Sequence, residues 1–394
     1  MRKVGQIRRM FLTRERILLI IEELTKGARQ TKWTNATRKR WQPIMDDPLT
    51  FADNLFYKLR YKVWQPAPFC IFYRKEGKKV RKIYSSYPEE LIVDTLLSDC
   101  LEYVFMEKKK IIPSNSYGSI KGKGQHELRR RIFKSVRGRK DVYIASCDTR
   151  KYYPTIDHAI LKSQLRSHIK DGWMLWLCDI TIDRMKDGKG IALGLPSSNI
   201  LGHVYHCALD WHVLTKCKIR HYYRFCDNKY IIHDNANYLH TVVRELRQGV
   251  ESLNQEMKND WRVSNLNKER CEILGSMMNT RNMRLKPYCR RSIERCMLYH
   301  QRLQDPLKAL ATWAGIKGGL KNIRCGNLIN YWKREYAEYF RLLKVANDML
   351  YQEMRRKAWH IKLKRILETC NDYRSEENKL KYPIDNEQSQ HQAA

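Results

Sequence analysis

The apolar positions in the middle of the chain fall into short runs that predict strands. VYIASCD (residues 142–148) predicts a buried strand that breaks at Asp148 into a loop or short helix. HYYRFCDNKYIIHD (221–234) predicts two short strands joined at Asp227-Asn228, because both arms are aromatic or β-branched and Asn and Asp tolerate positive φ. These runs predict three strands, with an acid at the end of one and at the turn between the other two.

Helical spacing and turn residues predict the other elements. Thr13 as N-cap and Gly27 as C-cap bracket an amphipathic helix near the start. The further expectations are two strands around a Glu76-Gly77 turn, a helix over 88–105, a Gly/Pro-rich turn entering a helix within 190–212, a helix near 240–258, a strand at 270–278 and helices over 290–368. The last twenty residues are polar, and we expect them to be disordered.

The charge of the chain points to a polyanion as partner. Lys and Arg number 76 and Asp and Glu 42, which gives a net charge of +34. Residues 121–140 hold nine Lys or Arg against one Glu, a local charge of +8. Nucleic acid fits this excess better than an anionic membrane, because the most apolar early run, ILLII, is far too short to span a bilayer. No targeting segment is evident, so we expect a cytoplasmic protein with no membrane partner.

The cysteines give no sign of a zinc ribbon. Twelve cysteines are scattered singly, without a Cys-x-x-Cys pair, whereas zinc ribbons need paired ligands. We therefore expect a reduced interior, with Cys147 and Cys226 as buried packing residues in their strands.

Two acids stand out because of where they lie in the predicted elements. Asp148 ends an apolar strand, and Asp227 lies at a hairpin tip. Carboxylates on neighbouring rigid elements can clamp divalent metal ions about 4 Å apart, as two-metal phosphoryl transfer requires. The alternative is that both are ordinary turn residues, a role in which Asp is common.

The sequence around these acids resembles the polymerase motifs of reverse transcriptases. CDTRKYYPTIDH is similar to the first palm motif and RFCDNKYIIH to the third, usually Tyr-x-Asp-Asp. GIALGLPSSNILGHVYHCALD is similar to the second, SYGSIKGKG to a fingers motif, and LNQEMKNDWRVSNLNKERCEILG to the Lys-containing and primer-grip segments. The resemblance runs in order from about residue 70 to 335.

Bacterial and phage reverse transcriptases are the most similar group, particularly those of diversity-generating retroelements. LGLPSSN (193–199) has the frame of their second motif, with Asn199 where Gln is expected. MKNDWRV also resembles a stretch shared with some phage-defence reverse transcriptases.

The resemblance implies an α+β fold of the right-hand polymerase type, with fingers, a palm built on an antiparallel sheet and a helical thumb. The implied domains are a basic helical N-terminal extension (1–70), fingers (71–140), palm (141–285), helical thumb (286–372) and a disordered tail (373–394). The implied activity is RNA-directed DNA polymerisation, in which a DNA or RNA primer is extended with dNTPs on an RNA template. A small basic accessory protein is an implied partner.

The resemblance also assigns the metal site. Asp148 and Asp227 would bind two Mg²⁺ ions, for which Mn²⁺ can substitute, with the Thr149 carbonyl as an extra ligand. Asn228 occupies the place of the second Asp of the third motif, so the turn and one oxygen donor are kept and one negative charge is lost. Lys258 or Lys268 would protonate the leaving pyrophosphate.

Other residues would bind the nucleotide and the nucleic acid. Tyr153, five residues after Asp148, would lie under the incoming sugar and exclude a 2′-hydroxyl. The remaining assignments are Arg81 and Lys121 to the triphosphate, Gly194, Ser198 and Asn199 to the template base and nascent pair, and the basic segment around Trp313 to the duplex.

Several alternatives stay open at this point. One is a phage-defence reverse transcriptase, and another is a decayed polymerase fold that binds RNA without chemistry. Asn228, Asn199 and Phe225 (usually Tyr) depart from the motifs and favour decay, whereas Asp148 and Asp227 are retained and oppose it. A maturase-like protein is less favoured, since the chain has no room for an endonuclease module and no zinc-ligand pairs after the predicted thumb.

Overall fold

The computed structural model describes residues 3–26, 33–76, 79–320, 323 and 326–356. The fold is mixed α+β. The chain divides into two compact units, Met1–Met283 and Arg284–Ala394. The predicted domain names and the polymerase architecture stay predictions.

The N-terminal helices share a core with the rest of the first unit. Ile17 and Ile20 are fully buried in one hydrophobic cluster with Leu96 of α5 and Leu177 of α8. Thr13 caps α2 as predicted, since its side chain accepts from Arg16 N; Gly27, the predicted C-cap, lies outside the described residues. The helices are α1 (Ile7–Phe11), α2 (Arg14–Thr25), α3 (Asn35–Asp46), α4 (Pro48–Arg60), α5 (Pro88–Glu102) and α8 (Gly172–Ile182).

Next along the chain is an antiparallel hairpin of β1 (Cys70–Glu76) and β2 (Lys79–Ser85). Gly77 of its predicted turn lies outside the described residues. A π-helical turn (Tyr103–Lys108) extends α5, and β3 (Ser116–Tyr117) and α6 (Gln125–Val136) follow. One stripe of α6 is buried, whereas most of its basic residues are exposed.

A five-stranded sheet forms the centre of the first unit. In order across the sheet, its strands are β3, β5 (His221–Phe225), β6 (Asn228–His233), β4 (Tyr143–Asp148) and β7 (Arg262–Asn265). β3 pairs with β5 in parallel, and every other pair is antiparallel. Leu239 and Val243 of α10 pack in one buried cluster with Ala145 and Ile231 of the sheet. The helices of this stretch are α7 (His158–His168), α9 (Pro196–Trp211) and α10 (Ala236–Glu251).

Two predicted elements differ from the structure. The helix expected near 240–258 is α10, which begins at Ala236 and ends at Glu251. The single strand expected at 270–278 is a hairpin, because Leu274 and Gly275 both have positive φ and turn the chain. Its strands are β8 (Cys271–Ile273) and β9 (Ser276–Met278), and β10 (Met283–Leu285) follows.

After the end of β10, the described part of the second unit is predominantly helical. Trp332, Tyr339 and Met297 form the centre of its own hydrophobic cluster. Its helices are α11 (Pro287–Leu303), α12 (Pro306–Leu320) and α13 (Gly326–Glu335), and residues 337–356 are also helical. The remainder of the predicted helical stretch and the predicted disordered tail lie outside the described residues. None of the described helices is both long enough and apolar enough to cross a bilayer.

Candidate active site

The sheet brings Asp148 and Asp227 to the same end of two neighbouring strands. β4 and β6 are antiparallel, and their register places Asp148 opposite Asn228, directly after the hairpin tip. The Thr149 N–H donates to the carbonyl of Asp227 at 3.3 Å, which continues the pairing beyond the strand. Long-range strand pairing thus joins two acids that are 79 positions apart in the sequence.

The tip of the hairpin corrects the predicted turn by one residue. Phe225 pairs with Asn228, so the two turn residues are Cys226 and Asp227, not Asp227 and Asn228. Cys226 adopts the positive φ of 50°. Its N–H donates to the Tyr117 carbonyl at 3.1 Å, so β3 fixes this conformation from outside the hairpin. Cys226 is therefore a half-buried turn residue and not the buried strand residue that we expected.

Gly118 makes room for this turn. A Cβ at residue 118 would lie 2.6 Å from Cys226 Sγ, and the φ of Gly118 is +92°. A side chain there would clash and would also be strained. The SYGSIKGKG segment, predicted to belong to the fingers, thus contributes β3 and Gly118 to the support of the sheet that holds both acids.

The environment of the two carboxylates suits a cation. Burial, and then the charge of Asp148, raise the pKa of Asp227 above its ordinary value. Asp148 Oδ1 is buried and has no hydrogen-bond partner among the described residues. Buried polar atoms are rarely left unpaired, and oxygen donors are the ligands that Mg²⁺ prefers. The donor set therefore fits divalent metal, although Asn228 contributes an amide and donates to Asp227 Oδ1 at 3.0 Å.

Of the two lysines considered as general acid, Lys258 lies at the acids. Its ammonium forms an ion pair with Asp148 Oδ2, and its N–H donates to the Asp148 carbonyl at 2.9 Å. Lys268 follows β7, whose residue Asn265 pairs with Tyr143 at the other end of β4. Tyr143 and Asp148 are five positions apart on β4, or roughly 17 Å.

A third lysine, Lys229, was missed by the sequence analysis. Its side chain is fully buried, and its ammonium donates to Thr149 Oγ1 at 2.7 Å and to the Asp227 carbonyl at 3.2 Å. Burial, and then the charge of Arg224, lower the pKa of Lys229 to about 8. A lysine inside the apolar run NKYIIH was the available signal, since lysines are seldom fully buried without a partner. Lys229 holds Thr149 against the hairpin.

Tyr153 and Asn199 come from different motifs and meet in the structure. Tyr153 begins a short 3₁₀ turn, and its hydroxyl donates to Asn199 Oδ1 at 3.3 Å. Asn199 lies in the first turn of α9, beside the buried Ser198. A Cβ at Gly202, one turn further along α9, would lie 3.5 Å from the Tyr153 ring. The predicted sugar-binding and template-binding residues therefore form one surface.

The turn before α9 is held between the β1–β2 hairpin and a buried acid. Gly194 has a φ of +117°, and a Cβ there would lie 3.0 Å from the Tyr84 carbonyl. Tyr84 N in turn donates to the Leu193 carbonyl at 3.1 Å. Asp94 of α5 accepts from Ser197 N at 3.1 Å and also contacts the Ser197 hydroxyl. Asp94, a second residue that the sequence analysis missed, therefore caps α9.

The two cations predicted to bind the triphosphate lie on separate elements. Arg81 lies on β2 opposite Arg74, with its side chain exposed, three residues before the Tyr84 contact to Leu193. Lys121 is exposed in the turn between β3 and α6. The neighbouring Lys123 donates to the Ser114 carbonyl at 3.0 Å. Lys123 is thus bonded within the protein, and Arg81 and Lys121 are exposed.

A buried ion pair lies further inside the same hairpin. Arg224 of β5 and Asp210 of α9 are both fully buried, and Arg224 Nη2 donates to Asp210 Oδ2 at 2.6 Å. Asp210 Oδ1 also accepts from the Tyr222 hydroxyl at 2.7 Å. The sequence analysis assigned no role to Arg224, although a charge at an inward position of a strand was visible. The pair joins α9 to β5, three residues before Asp227.

Comparison with known proteins finds likenesses among solved structures alone. No family model matches the sequence, and no curated protein matches it. Among solved structures, the chain is similar to telomerase from Candida albicans in complex with a TWJ fragment of telomeric RNA, with a TM-score of 0.44 and 13% identity. The match covers 58% of this chain and 48% of that chain, so this chain spans about half of that structure. A likeness this weak assigns neither a fold nor an activity.

Proposed function

We propose that this protein is an RNA-directed DNA polymerase that extends a primer with dNTPs by two-metal-ion nucleotidyl transfer. The main support is one observation. Asp148 and Asp227 meet at the end of two antiparallel strands, and one buried oxygen of Asp148 has no hydrogen-bond partner in the described part of the chain. The second support is the order of the sequence motifs, which resembles that of reverse transcriptases. It favours a nucleotide substrate and an RNA template, and a protein that acts in a diversity-generating or related retroelement.

The acids would hold the metal ions together with the Thr149 carbonyl. Magnesium bound there would lower the pKa of the primer 3′-hydroxyl and offset the charge of the triphosphate. Lys258, which is paired with Asp148, would give a proton to the leaving pyrophosphate. Lys229 would keep Thr149 in position through its hydroxyl.

The Tyr153–Asn199 surface would receive the nucleotide. The Tyr153 ring is held by the hydrogen bond from its hydroxyl to Asn199 and by an edge contact with the Tyr152 ring, whose centroid lies 5.2 Å away. A fixed ring can exclude a 2′-hydroxyl sterically, which would favour deoxynucleotides. Gly194 would let the backbone approach the nascent pair closely.

The charge of the protein supports a nucleic-acid partner. The net charge is +34. The exposed Lys134 and Arg137, in and directly after α6, belong to the most basic segment of the chain. Such charges bind phosphates and release counterions, so binding should weaken steeply with salt.

The direct test is primer extension on an RNA template with dNTPs, first with Mg²⁺ and then with Mn²⁺. We expect extension by the unchanged protein and its loss in Asp148→Asn. Asp234→Asn is the matched control, because Asp234 is an exposed acid at the opposite end of β6. Extension that survives Asp148→Asn, or that Asp234→Asn abolishes equally, would contradict the proposal.

A second candidate is an RNA-binding protein without polymerase chemistry. The observation in its favour is the local charge, since Lys229 and Lys258 lie beside the two carboxylates and Asn228 replaces a third acid. The sum of two acids and two ammonium groups is zero, which weakens attraction for divalent ions. Tight, salt-sensitive RNA binding without extension in either metal would favour this function.

A further inference from the structure

A second group of metal-binding side chains lies in the connection between α9 and β5. His212, Cys217 and Glu245 each offer one ligand atom. His212 and Cys217 precede β5, whereas Asp227 follows its other end, and His221 and Phe225 at the two ends of that strand are roughly 13 Å apart at 3.3 Å per residue. The group therefore lies at the opposite end of β5 from Asp227.

The three ligand atoms are close enough to share one ion. His212 Nε2 lies 2.9 Å and Cys217 Sγ 3.4 Å from Glu245 Oε2. All three atoms lie within 4.8 Å of one another. Ligands of tetrahedral zinc lie about 3.4–3.6 Å apart, given metal–ligand bonds of about 2.0–2.3 Å. Side-chain movements of about 1 Å would complete the geometry.

The backbone conformation places His212 and Cys217 on the same side of the chain. Residues five apart on an α-helix point about 140° away from each other, at 3.6 residues per turn. Here the chain forms a π-helical turn over His212–Lys216, and Cys217 N donates to the His212 carbonyl at 3.1 Å. Such wide turns are rare and often occur at functional sites. The turn stacks the two residues on one side.

Tyr238 links α10, which carries Glu245, to the segment that carries His212 and Cys217. Its hydroxyl donates to the Cys217 carbonyl at 2.7 Å. Tyr238 and Glu245 are seven residues apart on α10, which is about two turns, so both face the connection. Hydrogen bonds that orient the residues around a metal are a common feature of protein metal sites.

We propose that His212, Cys217 and Glu245 bind one zinc ion. An imidazole nitrogen, a thiolate sulfur and a carboxylate oxygen form a donor set that suits Zn²⁺, whereas Mg²⁺ prefers oxygen alone. The side chains of His212 and Glu245 are 43% and 44% exposed, so the fourth position faces water. Bound zinc would clamp the connection before β5 to α10, which packs on the central sheet.

Zinc titration of chelator-treated full-length protein tests this proposal by calorimetry and by elemental analysis after dialysis. We expect one zinc per chain, and a rise in the thermal unfolding midpoint on binding, because a ligand that binds the folded state stabilises it. With Co²⁺ in place of zinc, a sulfur-to-metal charge-transfer band should appear and should be lost in Cys217→Ser.

The variants separate this site from other metal binding. His212→Ala changes a half-exposed side chain, so it should fold, and it should weaken zinc binding at least tenfold. Cys289→Ser, on a half-buried cysteine of the second unit, and Asp227→Asn should leave zinc affinity unchanged. Less than one equivalent of zinc, or equal affinity in His212→Ala and the unchanged protein, would overturn the proposal. Neither result depends on polymerase activity.

Discussion

Asp210 and Asp148 are both partly or wholly buried acids of the same sheet region, but their surroundings differ. Both oxygens of Asp210 accept from Arg224, and further bonds come from Tyr222 and Ser116. Asp148 is paired with Lys258 through one oxygen, and its other oxygen has no partner among the described residues. Both carboxylate oxygens of Asp210 therefore accept hydrogen bonds, whereas one oxygen of Asp148 accepts none from the described residues; we call this the open oxygen of Asp148.

This difference distinguishes a structural acid from a candidate ligand. A buried carboxylate loses its hydration, so it is tolerated when protein donors replace the water. The donors around Asp210 fill that role and leave no site for a metal. Asp148 has one oxygen paired with Lys258, and its other oxygen, which has no partner among the described residues, keeps its lone pairs for an ion. The following predictions test this comparison, from the largest expected effect to the smallest.

The largest effect is expected when the Asp210 pair is broken. Arg224→Leu leaves the Asp210 carboxylate buried without its counter-charge, so the free energy of unfolding should fall by about 3–5 kcal/mol. Urea unfolding at pH 7 measures this change.

Asp227→Asn is the comparison for that measurement. Burial and the charge of Asp148 raise the pKa of Asp227. A raised pKa means that the ionised form is disfavoured in the folded state, and this cost is present above that pKa. Asp227→Asn removes it, so the free energy of unfolding should stay unchanged or rise. A loss as large as that of Arg224→Leu would mean that Asp227 is also structural.

Asp94 is intermediate, because it is fully buried but accepts from Ser197 alone among the described hydrogen bonds. Burial raises its pKa from 3.8 to about 6. Its contribution to stability is fully present below pH 3.8 and is lost as the pH rises through about 6. The free energy of unfolding of Asp94→Asn, taken relative to that of the unchanged protein, should therefore rise by about 3 kcal/mol from pH 4 to pH 7. Urea unfolding at both pH values checks this, and a difference that is independent of pH would contradict it.

The smallest effect concerns the lysine that is paired with Asp148. Lys258→Ala should slow single-nucleotide addition about 100-fold, since general acid catalysis contributes about that much at its lower limit. Lys268→Ala is the matched control and should leave the rate unchanged, because Lys268 follows the far end of β7. Single-turnover extension gives both rates. Equal rates for the two variants would show that Lys258 is not the general acid of the reaction.

Local patterns in the sequence predicted much of this fold. The apolar run ending at Asp148 is β4, and Thr13 caps α2 through its side chain. The Gly/Pro-rich turn leads into α9 at Pro196 as expected. In each case, periodicity or capping chemistry within a few residues determines the element.

The sequence could not predict features that depend on contacts between distant segments. Cys226 takes the positive φ because Tyr117 binds its N–H from β3, and no local propensity of cysteine indicates this. Lys258 and Lys268 look alike in the sequence, and only the position of β7 beside β4 separates them. The inward position of Arg224 was visible in its strand, but its counter-charge, Asp210, comes from α9, and the sequence alone does not pair the two.

The measurement that tests the central claim most directly is primer extension on an RNA template by three forms of the protein. These are the unchanged chain, Asp227→Asn and Asn228→Asp. The account predicts that Asp227→Asn abolishes extension in both Mg²⁺ and Mn²⁺. It also predicts that Asn228→Asp keeps or increases extension, because it adds a carboxylate beside the open oxygen of Asp148. Extension that persists in Asp227→Asn would contradict a polymerase site at the hairpin tip, as would its absence from all three forms.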